Sequence, residues 1–376
     1  MERIRLMTLF GTRPEIIRLS EIMKKCDRYF DQITVHTGQN WDYKLNRVFF
    51  EEFGLREPDH YLGVAGDTLG QTIGNVIAKS YDLMAKVRPD ALLVLGDTNS
   101  CLAVIGAKRL KIPVFHMEAG NRCFDENLPE EINRRIVDHT SDVNLCYTEH
   151  ARRYLLAEGV KKEQTYVVGS PMREVLDANI DRINASDVLE RLGLQAGGYI
   201  LLSAHREENI DIERNFFELM NSVNAMAEHY GKPVIYSTHP RSRKFIEKRG
   251  FVFHPLVKSL EPFGFADYNC LQKNAFCVVS DSGTIPEEAN YFRFPAVSVR
   301  TSTERPEALD SGNFIIGSIG RSSVLQAVEL AVSMHKNGDD GVATPDYEDA
   351  NVSTKVVKLI QSYVGIVDRM TWRKEL

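Results

Sequence analysis

The stretch Arg3–Phe10 (RIRLMTLF), followed at once by Gly11–Ser20 (GTRPEIIRLS), decides the fold class of this chain. The first segment shows little alternation of polar and apolar residues and stops at a glycine, which is typical of a strand buried in a parallel sheet. Pro14 then occupies the first turn of a predicted helix, behind Thr12 as the expected N-cap. This stretch therefore predicts a strand, a tight turn and a helix.

The same unit of strand, turn and helix recurs along the first half of the chain. Further strands are predicted at Gln32–His36, Ala91–Leu95, Val114–Met117, Val143–Tyr147 and Thr165–Val168. Helical patterns lie between them at Tyr43–Phe53, Thr68–Lys86, Ser100–Leu110 and Pro129–Ser141. Strands and helices that alternate at this spacing predict a doubly wound parallel α/β sheet.

The pattern restarts after Ser170, so the chain is expected to hold two Rossmann-like domains, 1–170 and 171–354. The final stretch, Asn351–Trp372, predicts a helix that can pack on either domain, and residues 355–376 are the part that would return to the first. Ligands of open parallel sheets bind outside the carboxyl ends of the strands, so we expect both sheets to face one cleft. The second set of strands is predicted at Tyr199–Ser203, Pro233–Thr238, Phe276–Ser280, Pro295–Arg300 and Asn313–Gly317.

The composition limits the kinds of partner that this chain is expected to bind. Of the 376 residues, 43% are hydrophobic and 26% are charged, and the formal net charge is −6. A chain with this balance lacks the broad basic surface of a nucleic-acid-binding protein, although a local basic pocket for one small anion is compatible with it. The sequence has no apolar run of the roughly 18 residues that a membrane helix needs. Its N-terminal segment lacks a signal-peptide cleavage site, so we expect a cytoplasmic protein.

Motifs for metals and common cofactors are absent from the sequence. Six cysteines occur without a C-x-x-C pair, and H-E-x-x-H is missing, so reduced thiols are expected in place of disulfides or zinc. Neither G-x-G-x-x-G nor the P-loop pattern occurs, which disfavours a dinucleotide cofactor. We therefore expect no cofactor and no metal.

Charged residues that follow the strands of the first domain are candidates for chemistry. Gly11 allows a tight turn, and Arg13 lies at a helix N-terminus that already favours an anion, with Arg18 close behind. A capped helix with solvated arginines is the alternative. Asp97 and Glu118 follow two further strands, where a buried acid needs a partner or a shifted pKa.

The helix that starts at Pro129 carries two acid–arginine pairs at a spacing of four residues. Glu130 and Arg134 share one face, and Glu131 and Arg135 share another. Such pairs usually lie on the surface. Here the helix begins just past the Glu118 loop, so one face can point into the expected cleft, and the spacing does not decide which.

Strand exits of the second domain carry groups that suit a phosphate. His205 and His239 each follow a strand and each have an arginine beside them or two residues on, which suits anion binding or proton transfer. Asp281–Thr284 (DSGT) opens a helix with hydroxyls and unhindered N–H groups, as a phosphate cradle requires. Glu288, one turn along, can accept two hydrogen bonds from a ribose diol, and Arg305 adds a cation near that face.

The combination of these motifs resembles the non-hydrolysing UDP-N-acetylglucosamine 2-epimerase family, and the matches keep their order over nearly the whole chain. The motifs are GTRPE at Gly11–Glu15, GDT at Gly96–Thr98, EAG at Glu118–Gly120, PEE-x-NR at Pro129–Arg134, HRE at His205–Glu207, DSG with EEA at Asp281–Ala289, and TERPE at Thr303–Glu307.

The resemblance implies a glycosyltransferase-B-like fold with UDP between two domains, and a homodimer as the assembly. It also implies a reaction: UDP is eliminated anti to the C2 proton, a 2-acetamidoglycal stays bound, and UDP adds back after a proton arrives on the other face. That reaction is redox-neutral, so neither NAD nor a metal is required.

Carried over residue by residue, the resemblance assigns proton transfer at C2 to Asp97, Glu118, Glu130 and His205, and leaves open which acid serves which face. Ser282 and Gly283 would hold phosphate, Glu288 the ribose hydroxyls, and Arg305 the nucleotide pocket. The residues expected to stabilise the leaving diphosphate are Arg13, Arg134 and His205, and Arg18, His239 and Thr284 complete the binding set.

Departures from the family's usual pattern favour one branch. The usual lysine after GTRPE is Arg18, the last glycine of DSGG is Thr284, and a QHRE-like turn is replaced at Gln39–Asp42. The segments HTGQN, EAGNRCFD, SAHREEN and STHPR look closer to the UDP-N-acetyl-L-fucosamine synthase branch, which epimerises UDP-2-acetamido-2,6-dideoxy-L-talose and feeds capsule or O-antigen assembly. Epimerisation of UDP-N-acetylglucosamine and UDP-N-acetylmannosamine is the alternative.

Two further classes of function are compatible with the same architecture. A glycosyltransferase would pass the sugar to an acceptor, and a non-catalytic protein would only bind the nucleotide sugar. Four ionisable groups at strand exits argue against a pure binder, which gains nothing from burying them.

Overall fold

The computed structural model describes residues 2–38 and 49–374. The replaced turn Gln39–Asp42 and most of the predicted helix Tyr43–Phe53 lie outside these ranges. The chain divides into two compact units, one formed by Met1–Val175 with Asp346–Leu376 and the other by Leu176–Pro345.

The first unit is built on a seven-stranded sheet in which every described pair of neighbours is parallel. The strand order is β3-β2-β1-β4-β5-β6-β7. The strands are β1 Arg5–Phe10, β2 Asp31–His36, β3 His60–Tyr61, β4 Ala91–Leu95, β5 Val114–Met117, β6 Val143–Cys146 and β7 Thr165–Val167.

The second unit holds a six-stranded parallel sheet in the order β10-β9-β8-β11-β12-β13. Its strands are β8 Ile200–Ser203, β9 Val234–Ser237, β10 Val257–Leu260, β11 Cys277–Ser280, β12 Ala296–Ser298 and β13 Ile315–Ile316. Two parallel α/β sheets confirm the predicted fold class of two doubly wound domains.

Helices connect the strands in both units. In order along the chain they are α1 Arg13–Tyr29, α2 Leu69–Val87, α3 Val104–Arg109, α4 Pro129–Thr140, α5 Glu149–Ala157, α6 Met172–Asn184, α7 Val188–Leu192, α8 Glu207–Ile210, α9 Glu213–Tyr230, α10 Pro240–Arg249, α11 Phe265–Lys273, α12 Ile285–Phe292, α13 Pro306–Asp310, α14 Arg321–Asn337 and α15 Val352–Met370. Within the described ranges, no helix is both long and apolar enough to cross a membrane.

Local hydrogen bonds account for two departures from the sequence analysis. Thr12 precedes α1, but its hydroxyl makes no cap bond and donates instead to the Glu15 carboxylate at 2.7 Å. The helix predicted at Ser100–Leu110 begins as a 3₁₀ turn at Asn99–Ala103, because the Thr98 hydroxyl accepts the N–H of Ser100.

Each sheet buries an aliphatic core under its helices. In the first unit Met7, Leu9 and Val94 lie in a cluster whose members are almost fully buried. In the second unit Leu202 and Val279 pack with residues of α9 and α14. The apolar character of these strands on both faces follows from helices covering both sides of a parallel sheet.

The C-terminal helix α15 belongs to the first unit and packs on α1. Lys25 of α1 donates to the hydroxyl of Thr354 at 2.8 Å, and the start of α15 is held by Glu174, which accepts from the N–H and the hydroxyl of Ser353 at 3.0 Å each. Val356 and Ile360 are fully buried, as expected for the apolar face of this helix.

The order of strands creates a switch point in each sheet. After β1 the chain builds one side of its sheet and then returns to place β4 on the other side, and β8 and β11 have the same relation. The loops after such a strand pair diverge and leave a crevice at the carboxyl edge, where open α/β sheets bind ligands.

We predict that Gly120→Ala destabilises the protein more than Gly159→Ala does. Gly120 has a φ of +82°, and a Cβ there would lie 2.4 Å from the carbonyl oxygen of Ala151. Gly159 has a φ of +88° and nothing within 4 Å of an added Cβ. Left-handed backbone alone costs a non-glycine residue about 1–2 kcal/mol, and the steric overlap at Gly120 adds about 1–3 kcal/mol. Urea unfolding of both variants measures the difference, and equal losses would contradict the expectation.

Candidate functional site

The turn after β1 is held by a buried carboxylate that the sequence analysis missed. Glu15 is 2% exposed, and it accepts hydrogen bonds from the N–H of Gly11 at 3.1 Å, the hydroxyl of Thr12 and the hydroxyl of Thr98 at 3.2 Å. Burial raises its pKa to about 7, against the lowering effect of these hydrogen bonds. Glu15 therefore joins the turn that carries Arg13 to the turn that carries Asp97.

Glu118 leaves β5 with an unusual backbone. Its φ is +63°, a left-handed conformation that non-glycine residues adopt at a cost of roughly 1–3 kcal/mol and that often marks functional sites. Arg18 of α1 forms an ion pair with its Oε1 at 2.6 Å, and Asn121 donates to the same oxygen at 3.2 Å. A Cβ on Gly96 would lie 3.4 Å from its Oε2, so the exits of β4 and β5 bring this acid beside Asp97.

Asp97 is paired with an arginine from α4. Nε and Nη2 of Arg134 both lie 2.8 Å from its Oδ2, and Asn133 donates to its backbone carbonyl at 2.9 Å. One quarter of the Asp97 side chain and 14% of the Glu118 side chain are exposed. Both strand-exit acids are therefore held by a buried arginine while keeping access to solvent.

The buried face of α4 carries Glu131 and Arg134, which the four-residue spacing had placed on different faces. Arg134 pairs with Glu131 at 2.9 Å, in addition to Asp97, and Glu131 is fully buried. No Glu130–Arg134 pair forms within the described ranges, whereas Glu131 and Arg135 lie 3.6 Å apart, as their spacing allows. Glu130 is half-buried.

The pKa of a buried thiol indicates that three acids of the first unit lie near one another. Burial is the main cause that raises the pKa of Cys101, and the charges of Glu15, Asp97 and Glu118 raise it further. Arg13 lies with its guanidinium 4.4 Å from the ring centre of Phe49. The switch point of the first sheet thus combines three carboxyl groups with arginines from α1 and α4.

A second buried carboxylate organises the turn after β8. Asp281 accepts from the N–H of His205 at 2.9 Å, the N–H of Arg206 at 2.9 Å and the side chain of Asn209 at 3.1 Å. Nδ1 of His205 lies 3.6 Å from Oδ1 of Asp281, and its ring stacks on His239 with centroids 5.2 Å apart. The two histidines singled out in the sequence therefore meet at one edge of the second sheet.

The segment after β11 forms a small loop of hydroxyls. Oγ of Ser282 lies 2.9 Å from Oγ1 of Thr284 and accepts the N–H of Thr284 at 3.3 Å. A Cβ on Gly283 would lie 2.8 Å from Oε1 of Glu304, so a side chain at this position would require the buried Glu304 carboxylate to move. The loop opens α12, whose N-terminal N–H groups attract an anion.

Buried acids and arginines line the base of this loop. Glu304 pairs with Arg300 at 2.7 Å and lies 3.6 Å from Nη2 of Arg206. Glu288 is 5% exposed and accepts from the side chain of Gln272 at 2.6 Å. Arg305 is 1% exposed, with Nη2 3.7 Å from Glu287.

The described residues contain no group of three or more His, Cys, Asp or Glu side chains arranged to hold a metal ion. All six cysteines are free thiols, and five are buried, with Cys123 half-buried.

The chain resembles known proteins along nearly its whole length. The family described as UDP-N-acetylglucosamine 2-epimerase matches residues 24–361. The structure of UDP-N-acetylglucosamine 2-epimerase from Rickettsia bellii has a TM-score of 0.91 and 45% identity, covering 99% of this chain and 100% of that one. The Methanocaldococcus jannaschii enzyme in complex with UDP-GlcNAc and UDP has a TM-score of 0.89 and 30% identity, covering 96% and 100%. These likenesses confirm the predicted glycosyltransferase-B-like fold class.

A relative named for a different sugar is nearly as similar. UDP-2,3-diacetamido-2,3-dideoxy-D-glucuronate 2-epimerase of Pseudomonas aeruginosa is 31% identical over 335 residues, which are 88% of this chain and 92% of that protein.

We predict that Glu15 makes stability depend on pH. Its pKa is about 7 in the folded chain against an ordinary 4.5, so its favourable contribution is full below pH 4.5 and is lost as the pH rises to about 7. Glu15→Gln does not titrate there. The melting temperature of the wild type minus that of Glu15→Gln should therefore fall between pH 5 and pH 8.

Glu163→Gln is the matched control, because Glu163 lies in the same unit with 68% of its side chain exposed. Its difference from the wild type should stay constant over this pH range. A constant difference for Glu15→Gln as well would show that Glu15 does not titrate near pH 7.

Proposed function

This chain belongs to the UDP-N-acetylglucosamine 2-epimerase family, and from that premise we propose that it converts UDP-2-acetamido-2,6-dideoxy-L-talose to UDP-N-acetyl-L-fucosamine. At the coarser level the chain is a UDP-sugar 2-epimerase, an isomerase. The identity of the sugar, the residues that act on it and the biological setting are the proposed parts.

One observation carries the proposed chemistry. Asp97 and Glu118 leave adjacent strands at the switch point of the first sheet, each held by a buried arginine and each partly open to solvent. Inversion at C2 needs one group to remove a proton and another to deliver one, and two carboxyl groups in different environments can hold different protonation states. A protein that only bound the nucleotide would gain nothing from this arrangement.

The proposed reaction has two balanced halves. A base takes the C2 proton, and the electron pair of the broken C2–H bond forms the C1–C2 double bond. The bond from C1 to the UDP oxygen breaks, and UDP leaves with the electron pair of that bond. A proton is then delivered to the other face of C2, and UDP adds back to C1. No electron is gained or lost overall, so the chemistry requires no redox cofactor. Asp97, Glu118, Glu130 and His205 are the proposed groups for these proton transfers.

The leaving diphosphate is where charge develops, and positive groups aimed there lower the barrier. We assign that role to Arg13, Arg134 and His205. In the second unit the Ser282–Gly283 loop at the start of α12 suits phosphate. Glu288 suits the ribose diol, and Arg305 supports the nucleotide pocket. The remaining proposed binding residues are Arg18, His239 and Thr284.

The choice of sugar rests on motif wording. The segments EAGNRCFD, SAHREEN and STHPR resemble the UDP-N-acetyl-L-fucosamine synthase branch, and HTGQN runs into the part of the chain outside the described ranges. Members of this family are named for more than one UDP-sugar, as the relative from Pseudomonas aeruginosa shows. The alternative substrate pair is UDP-N-acetylglucosamine and UDP-N-acetylmannosamine, for which several relatives are named.

The biological setting follows from the proposed product. We place the enzyme in the cytoplasm as a homodimer that makes a precursor for capsule or O-antigen assembly. The proposal includes no membrane or nucleic-acid partner.

We predict that Asp97→Asn and Glu118→Gln each lower kcat by at least about 100-fold, because each removes a proton-transfer group. Binding of UDP alone, measured by calorimetry, should stay within about threefold, since neither acid is itself a proposed nucleotide contact and both substitutions keep the size of the side chain beside Arg134 or Arg18. Asp31→Asn is the matched control: Asp31 is an exposed acid at the opposite edge of the same sheet, paired with Arg5. Near-normal turnover in both site variants would remove these acids from the mechanism.

We predict that the enzyme turns over the 6-deoxy-L-talose substrate faster than UDP-N-acetylglucosamine. Incubation of each UDP-sugar in heavy water, followed by proton NMR, should show deuterium at C2 without any acceptor. Faster exchange with UDP-N-acetylglucosamine would reverse the assignment of the branch. Unchanged C2 protons, together with sugar transfer to an added acceptor, would instead indicate a glycosyltransferase.

A further inference from the structure

A buried histidine lies on the strand that leads to Glu118 and contacts the turn that leads to Asp97. His116 is on β5, two residues before Glu118, and it is 1% exposed. Its Nε2 lies 2.8 Å from the carbonyl oxygen of Gly96, the residue before Asp97. Its Nδ1 lies 2.9 Å from Oδ1 of Asp138 on α4. The ring therefore connects the exit of β4 to α4.

Asp138 continues the connection to the exit of β5. It accepts the N–H of Gly120, with 3.2 Å to each carboxylate oxygen. It also accepts from Nη1 of Arg122 at 2.7 Å, and Arg122 in turn pairs with Glu158 at 2.6 Å and donates to the carbonyl of Asn121 at 2.8 Å. The Asp138 carboxylate therefore holds the backbone of Gly120, two residues after Glu118.

Both nitrogens of His116 face oxygen atoms, those of the Gly96 carbonyl and the Asp138 carboxylate. Burial alone would raise the pKa of Asp138, but the hydrogen bond and charge of His116, together with Arg122, hold it below its ordinary value. A buried pair of this kind is costly to break, because the remaining partner is left uncompensated.

We propose that the His116–Asp138 pair is a positioning device that fixes the exits of β4 and β5 at one separation and so holds Asp97 and Glu118 in their reactive arrangement. The inference rests on the proposed function, since it gives these two acids their task. His116 touches the Gly96 side, Asp138 touches the Gly120 side, and neither needs to contact the sugar.

Asp138→Asn keeps the size of the side chain and removes its charge. We expect kcat to fall by about 100-fold, because a shift of about 1 Å in reacting groups costs that much. KM should change by less than about threefold, because the nucleotide is held by other residues. The matched control is Asp142→Asn: Asp142 is also 1% exposed, accepts the N–H of Val114 at 2.9 Å and pairs with Lys108 at 2.5 Å. It precedes β6, at the opposite edge of the sheet, so its loss should lower stability and leave kcat within about twofold.

His116→Gln tests the other half of the pair. A glutamine cannot place two polar atoms as far apart as the two ring nitrogens, so the link between the Gly96 carbonyl and Asp138 is lost. We expect kcat to fall by at least about 10-fold while KM changes by less than about threefold, and a purely structural role would not separate the two constants in this way.

Hydrogen exchange tests the same idea without relying on catalysis. The amide of Gly120 should exchange at least about tenfold faster in Asp138→Asn than in the wild type, and at the wild-type rate in Asp142→Asn. If the wild type shows no C2 exchange with any UDP-sugar, the proposed function fails, and the Gly120 amide alone decides whether the pair holds the turn.

The outcomes that overturn the proposal are specific. They are a kcat in Asp138→Asn within twofold of the wild type, equal losses of kcat in Asp138→Asn and Asp142→Asn, or an unchanged Gly120 amide. If Asp138→Asn does not fold, His116→Gln decides: a kcat within twofold of the wild type overturns the proposal.

Discussion

The structure depends on buried carboxylates that satisfy the backbone N–H groups of strand-exit turns. When a parallel strand ends, its following turn has donors without partners in the sheet, and burying them unpaired is costly. Glu15 accepts from Gly11 after β1, Asp138 from Gly120 after β5, and Asp281 from His205 and Arg206 after β8. These three acids shape the turns on which the candidate chemistry stands.

This arrangement separates two kinds of acid. The carboxylates that hold turns are at most 2% exposed and have their oxygens occupied by donors. Asp97 and Glu118 keep part of their surface open and are opposed by Arg134 and Arg18. Buried donors leave the first kind no capacity for a substrate, whereas an acid held by one arginine can still exchange a proton.

Much of the architecture could be predicted from the sequence because buried parallel strands are short apolar runs that end in glycine or polar turns. The edge strands β3 and β10 were not predicted, because both are short and partly exposed and carry no apolar run. At the site, strand exits located Asp97, Glu118 and His205. The partner of Asp97 and the role of Glu15 depend on side-chain direction, which spacing does not fix. The four-residue spacing on α4 shows the same limit, because it did not decide which face turns inward, and Glu131 is the acid that α4 buries.

The left-handed backbone of Glu118 has a consequence for how this protein could be altered. Glycine would relieve the conformational strain at that position, but it would also take away the carboxylate that pairs with the buried Arg18. The two changes affect the free energy of unfolding in opposite directions. A search for heat-resistant variants therefore gains little by placing glycine here, and it would remove a proposed acid–base group.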